Sequence, residues 1–330
     1  MKKIVIEKNQ SEQRLDKFLH KYLPSAGSGF LYKMLRKKNI TLNGKRAEGK
    51  EILHIGDEIV FYLSDDTVAK FKQSDLHTNE QEKEYLRAYH TLKGITLLYE
   101  DEDVILLSKP QGILSQKALD KDLSLNEWLL GYLLAEKKFA ISDYSDFKPS
   151  ICNRLDRNTS GIVLCGKSLL GSQGLNSLLK DRRVEKRYYA IVLGPLKEPY
   201  QLDGYLTKNR TSNTVRYDKM QGEEYIRTDI QPLRVGNQLS LVEAHLITGK
   251  THQIRAHLAS IKHPILGDNK YGDKEWNKTY GKQYDGLKYQ QLHAYKITFP
   301  ESLKCLPQLS GRTFISPMPK VFEQICEDIL

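Results

Sequence analysis

Two charged residues, Arg154 and Asp156, stand in a stretch that is otherwise rich in apolar residues. Leu155 separates them, and the apolar run Ile162–Cys165 follows closely. Side chains of a strand alternate between its faces, so Arg154 and Asp156 are predicted to share one face and Leu155 to occupy the other. Ionic groups flanked by apolar sequence are costly to bury unless they pair or take part in chemistry. The pattern therefore indicates either a buried structural ion pair or a catalytic carboxylate.

The residues that follow Asp156 favour a bend in the chain. Asn158–Gly161 combine Asn, Thr, Ser and Gly, which are typical of turns. A bend at this point would present Asp156 at a cleft. These residue types alone do not decide between the two alternatives.

Four blocks of sequence, taken in order, resemble the signatures of RluA-type pseudouridine synthases. They are the hairpin Leu98–Gly112, the signature Asn153–Gly161, the strand Arg183–Ala190 and the segment Gly249–Gly272. Each block alone is a modest signal, whereas four in the family's order make a chance similarity very unlikely. The resemblance implies an isomerase that converts uridine in RNA to pseudouridine without a cofactor.

The resemblance implies a role for each of four residues. Asp156 matches the carboxylate that must be charged beside the anomeric carbon, Arg255 matches its pairing arginine, and Tyr188 matches the tyrosine that stacks on the target uracil. A close arginine lowers the pKa of a carboxylate. Arg154 matches the residue that enters the RNA stack, where a planar guanidinium can replace part of the stacking lost when a nucleotide flips out. Tyr189 lies on the opposite strand face and serves as a control.

A helix is predicted to position Arg255. It opens at Thr251, and Thr251 and Arg255 lie four residues apart on one face. Ile254 and Leu258 form the adjacent apolar face. The helix is therefore expected to anchor in the core and to direct Arg255 into the cleft.

Two lysines and a histidine in these blocks are candidate RNA-binding residues. Lys109 is interpreted as a phosphate contact or a support of the cleft, and His252 as an RNA contact or a structural hydrogen-bonding residue. Lys250 and Asn153 stand where the family usually has Arg and His. Lysine lacks the bidentate phosphate geometry of arginine, and asparagine cannot titrate near neutrality. These departures bear on substrate preference rather than on activity.

The first fifth of the chain is predicted to bind RNA. Residues 1–72 carry 15 Lys and Arg against 9 Asp and Glu, which is +6 of the chain's net +10. Apolar residues recur at helical spacing over 15–23 and 30–35, and an Asn43-Gly44 pair predicts a hairpin. This order resembles the S-four-type RNA-binding domain. Its candidate RNA contacts are Lys33, Arg36, Lys37 and Lys38.

The domain boundaries follow from these patterns. We predict an S-four-type RNA-binding domain over residues 1–63, a linker over 64–92 and a pseudouridine synthase catalytic domain over 93–330. The linker is polar and acidic and lacks sustained apolar periodicity. The resemblance implies an α+β fold, with a mixed, mainly antiparallel sheet in the catalytic domain and a small α/β domain before it.

Composition narrows the class of protein further. The sequence pI near 9.1 favours a polyanionic partner. No apolar run approaches membrane-spanning length, and no signal peptide is recognisable, so we expect a cytoplasmic monomer without membrane contact. Four consecutive acids, Glu100–Asp103, are interpreted as a hairpin turn, because carboxylates at a tight turn point in divergent directions. We expect no metal site and no cofactor, nucleotide cofactors included.

Several functions remain open within and beyond this class. Large-subunit ribosomal RNA is the favoured substrate, because the N-terminal module is typical of family members that act there, and transfer RNA is the alternative. A non-catalytic RNA-binding ribosome-assembly protein would have no reason to keep an acid in an anion-binding cleft. A glycoside hydrolase would need a second carboxylate at a suitable separation, and none stands out in the four blocks.

Overall fold

The computed structural model describes residues 1–7, 9–71, 75–141, 147–209 and 214–329, with the backbone alone over 75–78. Within these ranges the chain forms a small N-terminal sheet with two helices and a large mixed sheet flanked by helices. The predicted α+β architecture is confirmed. No helix in these ranges is both long and apolar enough to cross a membrane.

The N-terminal unit contains a short antiparallel sheet. Its elements are β1 (Lys2–Val5), α1 (Leu15–Tyr22), α2 (Ser28–Arg36), β2 (Ile40–Leu42), β3 (Lys45–Arg46) and β4 (Glu58–Phe61). The strand order is β1-β4-β2-β3, and both helices share one apolar core with the strands. Asn43 and Gly44 have φ of 50° and 72°, as a two-residue hairpin turn requires. The helices and the hairpin lie where the sequence predicted them, while the S-four-type classification stays a prediction.

The large sheet occupies most of the remaining chain. Its strands are β5 (Thr96–Glu100), β6 (Val104–Lys109), β7 (Ser150–Ile151), β8 (Ser160–Gly166), β9 (Glu185–Leu193), β10 (Tyr200–Asn209), β11 (Thr214–Asp218), β12 (Glu224–Val235), β13 (Leu239–Leu246), β14 (Leu292–Thr298) and β15 (Thr313–Ile315). They run in the order β11-β10-β12-β13-β9-β14-β8-β6-β5, with β7 beside β8 and β15 beside β14. The pair β14 and β8 is parallel, and the other described pairs are antiparallel, as predicted.

Helices cover both faces of this sheet. They are α5 (Leu125–Ala135), α6 (Leu169–Lys180), α7 (Gln253–Ser260), α8 (Lys274–Gln283) and α9 (Lys320–Glu327). Successive residues of the central strands enter different cores: Leu107 packs in the core that α5 and α7 share, whereas Leu106 packs in the core under α6. Burial on both sides explains why these strands are apolar throughout. Tyr188 lies on the face that α7 covers.

The segment predicted as a linker is mostly helical. It forms α3 (Asp65–Phe71) and α4 (Asp75–Thr91), while residues 72–74 lie outside the described residues. Helix α4 packs against α5 and buries Tyr85 and Ala88. Among the side chains of α4 that the structure describes, those over 79–91, the buried ones lie in the last two turns, and the polar first half of the helix concealed them. The C-terminal half of the predicted linker therefore belongs to the packing of the large domain.

Candidate active site

Asp156 lies in the loop between β7 and β8, so the strand geometry predicted for this segment is wrong. Leu155 is buried, its N–H donates to the Ser115 hydroxyl (3.0 Å), and that hydroxyl donates to the Leu155 carbonyl (2.7 Å). The Thr159 N–H donates to the Asp156 carbonyl (3.0 Å) and closes a turn. The backbone is therefore fixed on both sides of Asp156, whose side chain is 25% exposed.

The ionic partner of Asp156 is Arg255, not Arg154. Arg154 is exposed, so the alternative of a buried pair between the two neighbours is excluded. Arg255 Nη1 donates to Asp156 Oδ2 at 2.8 Å. Within the described residues Oδ1 of Asp156 accepts no hydrogen bond. One carboxylate oxygen is thus held by the protein, and the other is left for a substrate.

Asp268 fixes the orientation of Arg255. The guanidinium donates from Nε to Asp268 Oδ2 (2.7 Å) and from Nη2 to Asp268 Oδ1 (2.8 Å). Asp268 Oδ1 also accepts from the backbone N–H of Lys270 (2.8 Å) and Tyr271 (3.1 Å). Burial opposes ionisation of Asp268, but the hydrogen bonds and charge of Arg255 outweigh it and hold the pKa of Asp268 below its usual value. Arg255 therefore turns only Nη1 towards the cleft.

Helix α7 carries Arg255 differently from the prediction. It begins at Gln253, and Thr251 precedes it and is exposed, so the two residues that were expected to share a helix face do not. His252 adopts a left-handed φ of 55° at the N-cap. The Gln253 side chain accepts from the Lys250 N–H (3.1 Å) and holds this turn. Residues 253–258 are all buried, so Arg255 extends through the domain interior.

His252 is held beside Asp156 by a short chain of hydrogen bonds. The Val215 N–H donates to the Tyr271 hydroxyl (2.7 Å), which in turn lies 2.9 Å from His252 Nδ1. Burial lowers the pKa of His252 to about 4, so the ring is neutral at pH 7. Since the Tyr271 hydroxyl already accepts from Val215, we assign it as the donor to Nδ1, which puts the His252 proton on Nε2. Nε2 lies 3.7 Å from Asp156 Oδ2.

Tyr188 points into the same core as the Asp156 loop. Its side chain is 7% exposed and packs in a cluster that includes Leu155 and Ile254. Burial, and then the charge of Asp156, raise the pKa of Tyr188, so the two side chains interact. Tyr189 points to the other face, where it stacks on Tyr295 at 3.6 Å between ring centroids. The predicted strand register is confirmed.

Lys109 cannot make the RNA contact that was one of its two predicted roles. It is completely buried, and its Nζ donates to the carbonyls of Pro110 (3.0 Å), Ile113 (2.9 Å) and Arg157 (3.1 Å). Burial lowers the pKa of Lys109 to about 7, and the charge of Asp156 acts in the opposite direction. Because three donors need a protonated amine, the geometry favours the cation. Lys109 therefore supports the cleft by tying the Asp156 loop to the chain after β6.

The remaining candidate RNA contacts lie at the surface. Lys250 pairs with Glu224 at 2.7 Å, and both side chains are well exposed, so a phosphate can compete for this lysine. The four cations of the N-terminal unit are exposed at the end of α2, a position that also suits the helix dipole. They are Lys33, Arg36, Lys37 and Lys38. The structure does not bring this cluster into the Asp156 site through any hydrogen bond or ion pair of the described residues.

Asn153, where the family usually has His, acts on the backbone of β8. Its Oδ1 accepts from the Leu164 N–H (2.7 Å), and its Nδ2 lies 3.4 Å from the Ile162 carbonyl. The side chain therefore continues the pairing of β7 with β8 for one more residue. This position anchors the loop that carries Asp156.

Three residues of the site were missed at the level of sequence. Ser115 gave no signal, because its role depends on Leu155, which is distant in the chain. Asp268 and Tyr271 lie in the Gly249–Gly272 block, and an acid two residues after the apolar pair Ile265–Leu266 was the available signal for Asp268.

Acids of the turn Glu100–Asp103 form ion pairs and hydrogen bonds within the protein. Glu100 pairs with Lys138 and Lys167, each at 2.7 Å. Asp101 accepts from the backbone N–H groups of Asp103 and Val104. No group of three His, Cys, Asp or Glu suited to a metal ion occurs in the part of the chain that the structure describes.

Comparison with known proteins gives consistent matches. A family model described as RNA pseudouridylate synthase matches residues 103–260. The chain is 32% identical over 298 residues to ribosomal large subunit pseudouridine synthase C of Rickettsia conorii, covering 88% of this chain and 90% of that protein. It is 28% identical to an uncharacterized RNA pseudouridine synthase of Mycoplasma capricolum over 96% of this chain and 97% of the relative. The solved structure of human RNA pseudouridylate synthase domain containing 4 superposes with a TM-score of 0.55 at 21% identity, covering 78% of this chain and 98% of that one, which supports the fold.

Proposed function

The chain belongs to the RNA pseudouridylate synthase family, and we propose that its substrate is the RNA of the large ribosomal subunit. The observation that carries the proposal is a partly accessible carboxylate, Asp156, held by buried Arg255 on the sheet face that bears Tyr188. The ribosomal substrate is supported by the relative from Rickettsia conorii, whose name specifies the large subunit.

The reaction breaks the bond between the ribose and the uracil nitrogen, turns the base and rejoins it through carbon 5. No atom is gained or lost, and nothing is oxidised. Asp156 acts beside the anomeric carbon, either by attacking it or by removing a proton from the sugar. Both routes need a charged carboxylate, and Arg255 stabilises that charge. The Oδ1 atom is the one that faces the substrate, because Arg255 occupies Oδ2.

Four further residues contact the substrate, and two of them, Tyr188 and Arg154, hold the target nucleotide. Tyr188 presents its ring to the uracil and keeps the base in the site while it turns, which prevents its loss to solvent. Arg154 is exposed beside the loop of Asp156, where it fills the gap that the flipped nucleotide leaves in the RNA stack. Lys250 supplies a phosphate contact, and His252 donates from Nε2 to a substrate oxygen near Asp156.

The N-terminal unit supplies affinity without chemistry. Its exposed cations at the end of α2 each neutralise a phosphate, and each such contact contributes about 0.7–0.9 to the slope of log affinity against log salt concentration. Replacing Lys33, Arg36, Lys37 and Lys38 by Gln should therefore weaken RNA binding and flatten its salt dependence. The rate at saturating RNA should change little, since Asp156 and Arg255 lie in the other unit.

The decisive experiment maps pseudouridine across total RNA from a strain that lacks this gene. We expect one or more sites to disappear from large-subunit ribosomal RNA and to return when the wild-type gene, but not an Asp156→Asn gene, is restored. Sites lost from transfer RNA instead would identify the alternative substrate. An unchanged map would favour the non-catalytic ribosome-assembly protein and refute the proposal.

A further inference from the structure

Lys186 is a lysine on the strand of Tyr188, and its charge has no partner among the described residues. It lies on β9 two residues before Tyr188 and therefore on the same face of the strand. Its Nζ atom lies 3.5 Å from the position that a Cβ would occupy on Gly249, in the loop that leads to α7. Within the part of the chain that the structure describes, no carboxylate or carbonyl accepts a hydrogen bond from it.

The neighbouring Arg187 provides a direct contrast. It points to the other face of β9 and pairs with Glu185 and with Glu243, the latter at 2.7 Å. Burial, and then the nearby charge of Arg182, lower the pKa of Lys186, and no acid offsets these effects. A cation that is largely removed from water without a partner destabilises the folded protein. Such a loss of folding free energy is typical of a group in a binding site, here one for an anion.

We propose that Lys186 binds a backbone phosphate next to the target uridine. This inference rests on the proposed function, because it takes RNA as the substrate. On a strand, residues two apart are separated by about 6.7 Å along the chain. A uracil on Tyr188 therefore places the sugar and its flanking phosphates, rather than the base, near the lysine. A compact ammonium group suits a phosphate as a point charge.

Proton transfer is not the role of Lys186. The charge of Asp156 affects the pKa of Lys109 and of Tyr188, whereas it is absent among the influences on Lys186. The neighbour that the structure gives the ammonium group is the loop of Gly249, which continues into Lys250, and not the reacting carboxylate.

The test compares Lys186→Met with Lys180→Met in the full-length protein. Lys180 is exposed at the end of α6, which packs on the core of Leu106 rather than on that of Tyr188, so its loss removes the same charge from the other face of the sheet. The probe is a synthetic RNA fragment centred on the uridine that the mapping experiment identifies. A second fragment carries an uncharged methylphosphonate at each flanking phosphate in turn. Affinity is measured at several salt concentrations, and thermal unfolding is followed without RNA.

Lys186→Met should bind about tenfold more weakly at low salt, the scale of one charged hydrogen bond. Its salt slope should be shallower by about 0.7–0.9, and it should unfold at a higher temperature than the wild type because an unpaired buried charge is gone. One methylphosphonate should weaken the wild type but not Lys186→Met. An unchanged salt slope, or methylphosphonate effects that are equal in both proteins, would overturn the inference. A wild type that neither binds nor converts the fragment would instead refute the proposed function.

Discussion

Arg255 contacts Asp156 through a single nitrogen, Nη1 at 2.8 Å, although the two residues are 99 positions apart in the chain. The Nε and Nη2 donors of the guanidinium are taken by the buried carboxylate of Asp268. Arg255 is thus shared between two acids, of which one is buried and one reaches the cleft. The buried acid sets the direction of the arginine, and the arginine holds one oxygen of Asp156, the carboxylate proposed to perform the chemistry.

Replacing Asp156 by Asn tests the role of the charge. Asp156→Asn keeps the shape and can still contact Arg255, but it cannot act as a nucleophile or as a base. Turnover should vanish while RNA affinity is kept or slightly increased. Single-turnover release of tritium from uridine labelled at carbon 5 measures turnover, and filter binding measures RNA affinity. Retention of more than a few per cent of the wild-type rate would contradict the assignment.

Asp268 is expected to matter for both stability and rate. Asp268→Asn leaves the buried guanidinium of Arg255 with only one of its two carboxylate partners. Breaking a buried ion pair typically costs about 3–5 kcal/mol of folding free energy. Arg255 should also lose its fixed orientation, so turnover should fall. The control is Asp273→Asn, which changes the exposed N-cap of α8 to another good capping residue. Urea unfolding and single-turnover rates check both effects, and equal stability of the two variants would refute this role for Asp268.

The sequence predicted the elements of this fold better than it predicted their contacts. Apolar periodicity located α1, α2 and the strands around Tyr188, because these elements bury a regular stripe or alternate between two cores. It did not locate α4, whose buried turns follow a polar half. Local spacing carries information about a helix or strand only where one face is consistently buried.

The site was predicted only in part, because local spacing reveals some of its residues and not others. The Asp156–Arg255 pair followed from a family resemblance, and the Tyr188 face followed from strand alternation. For Lys109 the sequence left a phosphate contact and a support of the cleft open, and only the fold, which places three carbonyls around its amine, decides for the support. Ser115 acts through hydrogen bonds to Leu155, 40 positions away in the chain, which no local pattern records. Asp268 stood in a matched block, but its pairing with Arg255 depends on the fold.

The two adjacent tyrosines of β9 should respond differently to substitution. Tyr188→Ala should abolish turnover, whereas Tyr188→Phe should retain the aromatic face and most of the affinity. Tyr189→Phe should be nearly silent in kinetics, because Tyr189 stacks on Tyr295 on the other side of the sheet. Steady-state kinetics on the mapped RNA fragment measures all three. Sensitivity at Tyr189 with tolerance at Tyr188 would reverse the assignment of the two faces.

The hydroxyl of Tyr271 is predicted to set the tautomer of His252. Tyr271→Phe keeps the ring that lies 5.1 Å from the Arg255 guanidinium but removes the donor to Nδ1. The proton should then distribute over both ring nitrogens, and turnover should fall several-fold. Nitrogen-15 chemical shifts of His252 report the tautomer directly. Tyr280→Phe, in a distant core, is the control. A wild-type ring protonated on Nδ1 would contradict the assignment.

Three buried histidines should make the protein unstable in mild acid. Burial lowers the pKa of His252, His257 and His293 from 6.5 to about 4. Between these pH values the unfolded chain binds protons that the folded chain excludes, so stability is lost as the pH falls from 6.5 towards 4. Each histidine contributes a slope of up to about 1.4 kcal/mol per pH unit.

His257 offers the cleanest test of this acid instability, because its Nε2 has no hydrogen-bond partner among the described residues. In His257→Gln the unfolding reaction should take up about one proton fewer, so the slope of unfolding free energy against pH should be shallower. Urea titrations between pH 7.5 and 5 measure this slope. The matched control is His54→Gln in the N-terminal unit, where the side chain is 67% exposed. A wild-type protein whose stability is constant across this range would mean that these rings accept protons without unfolding.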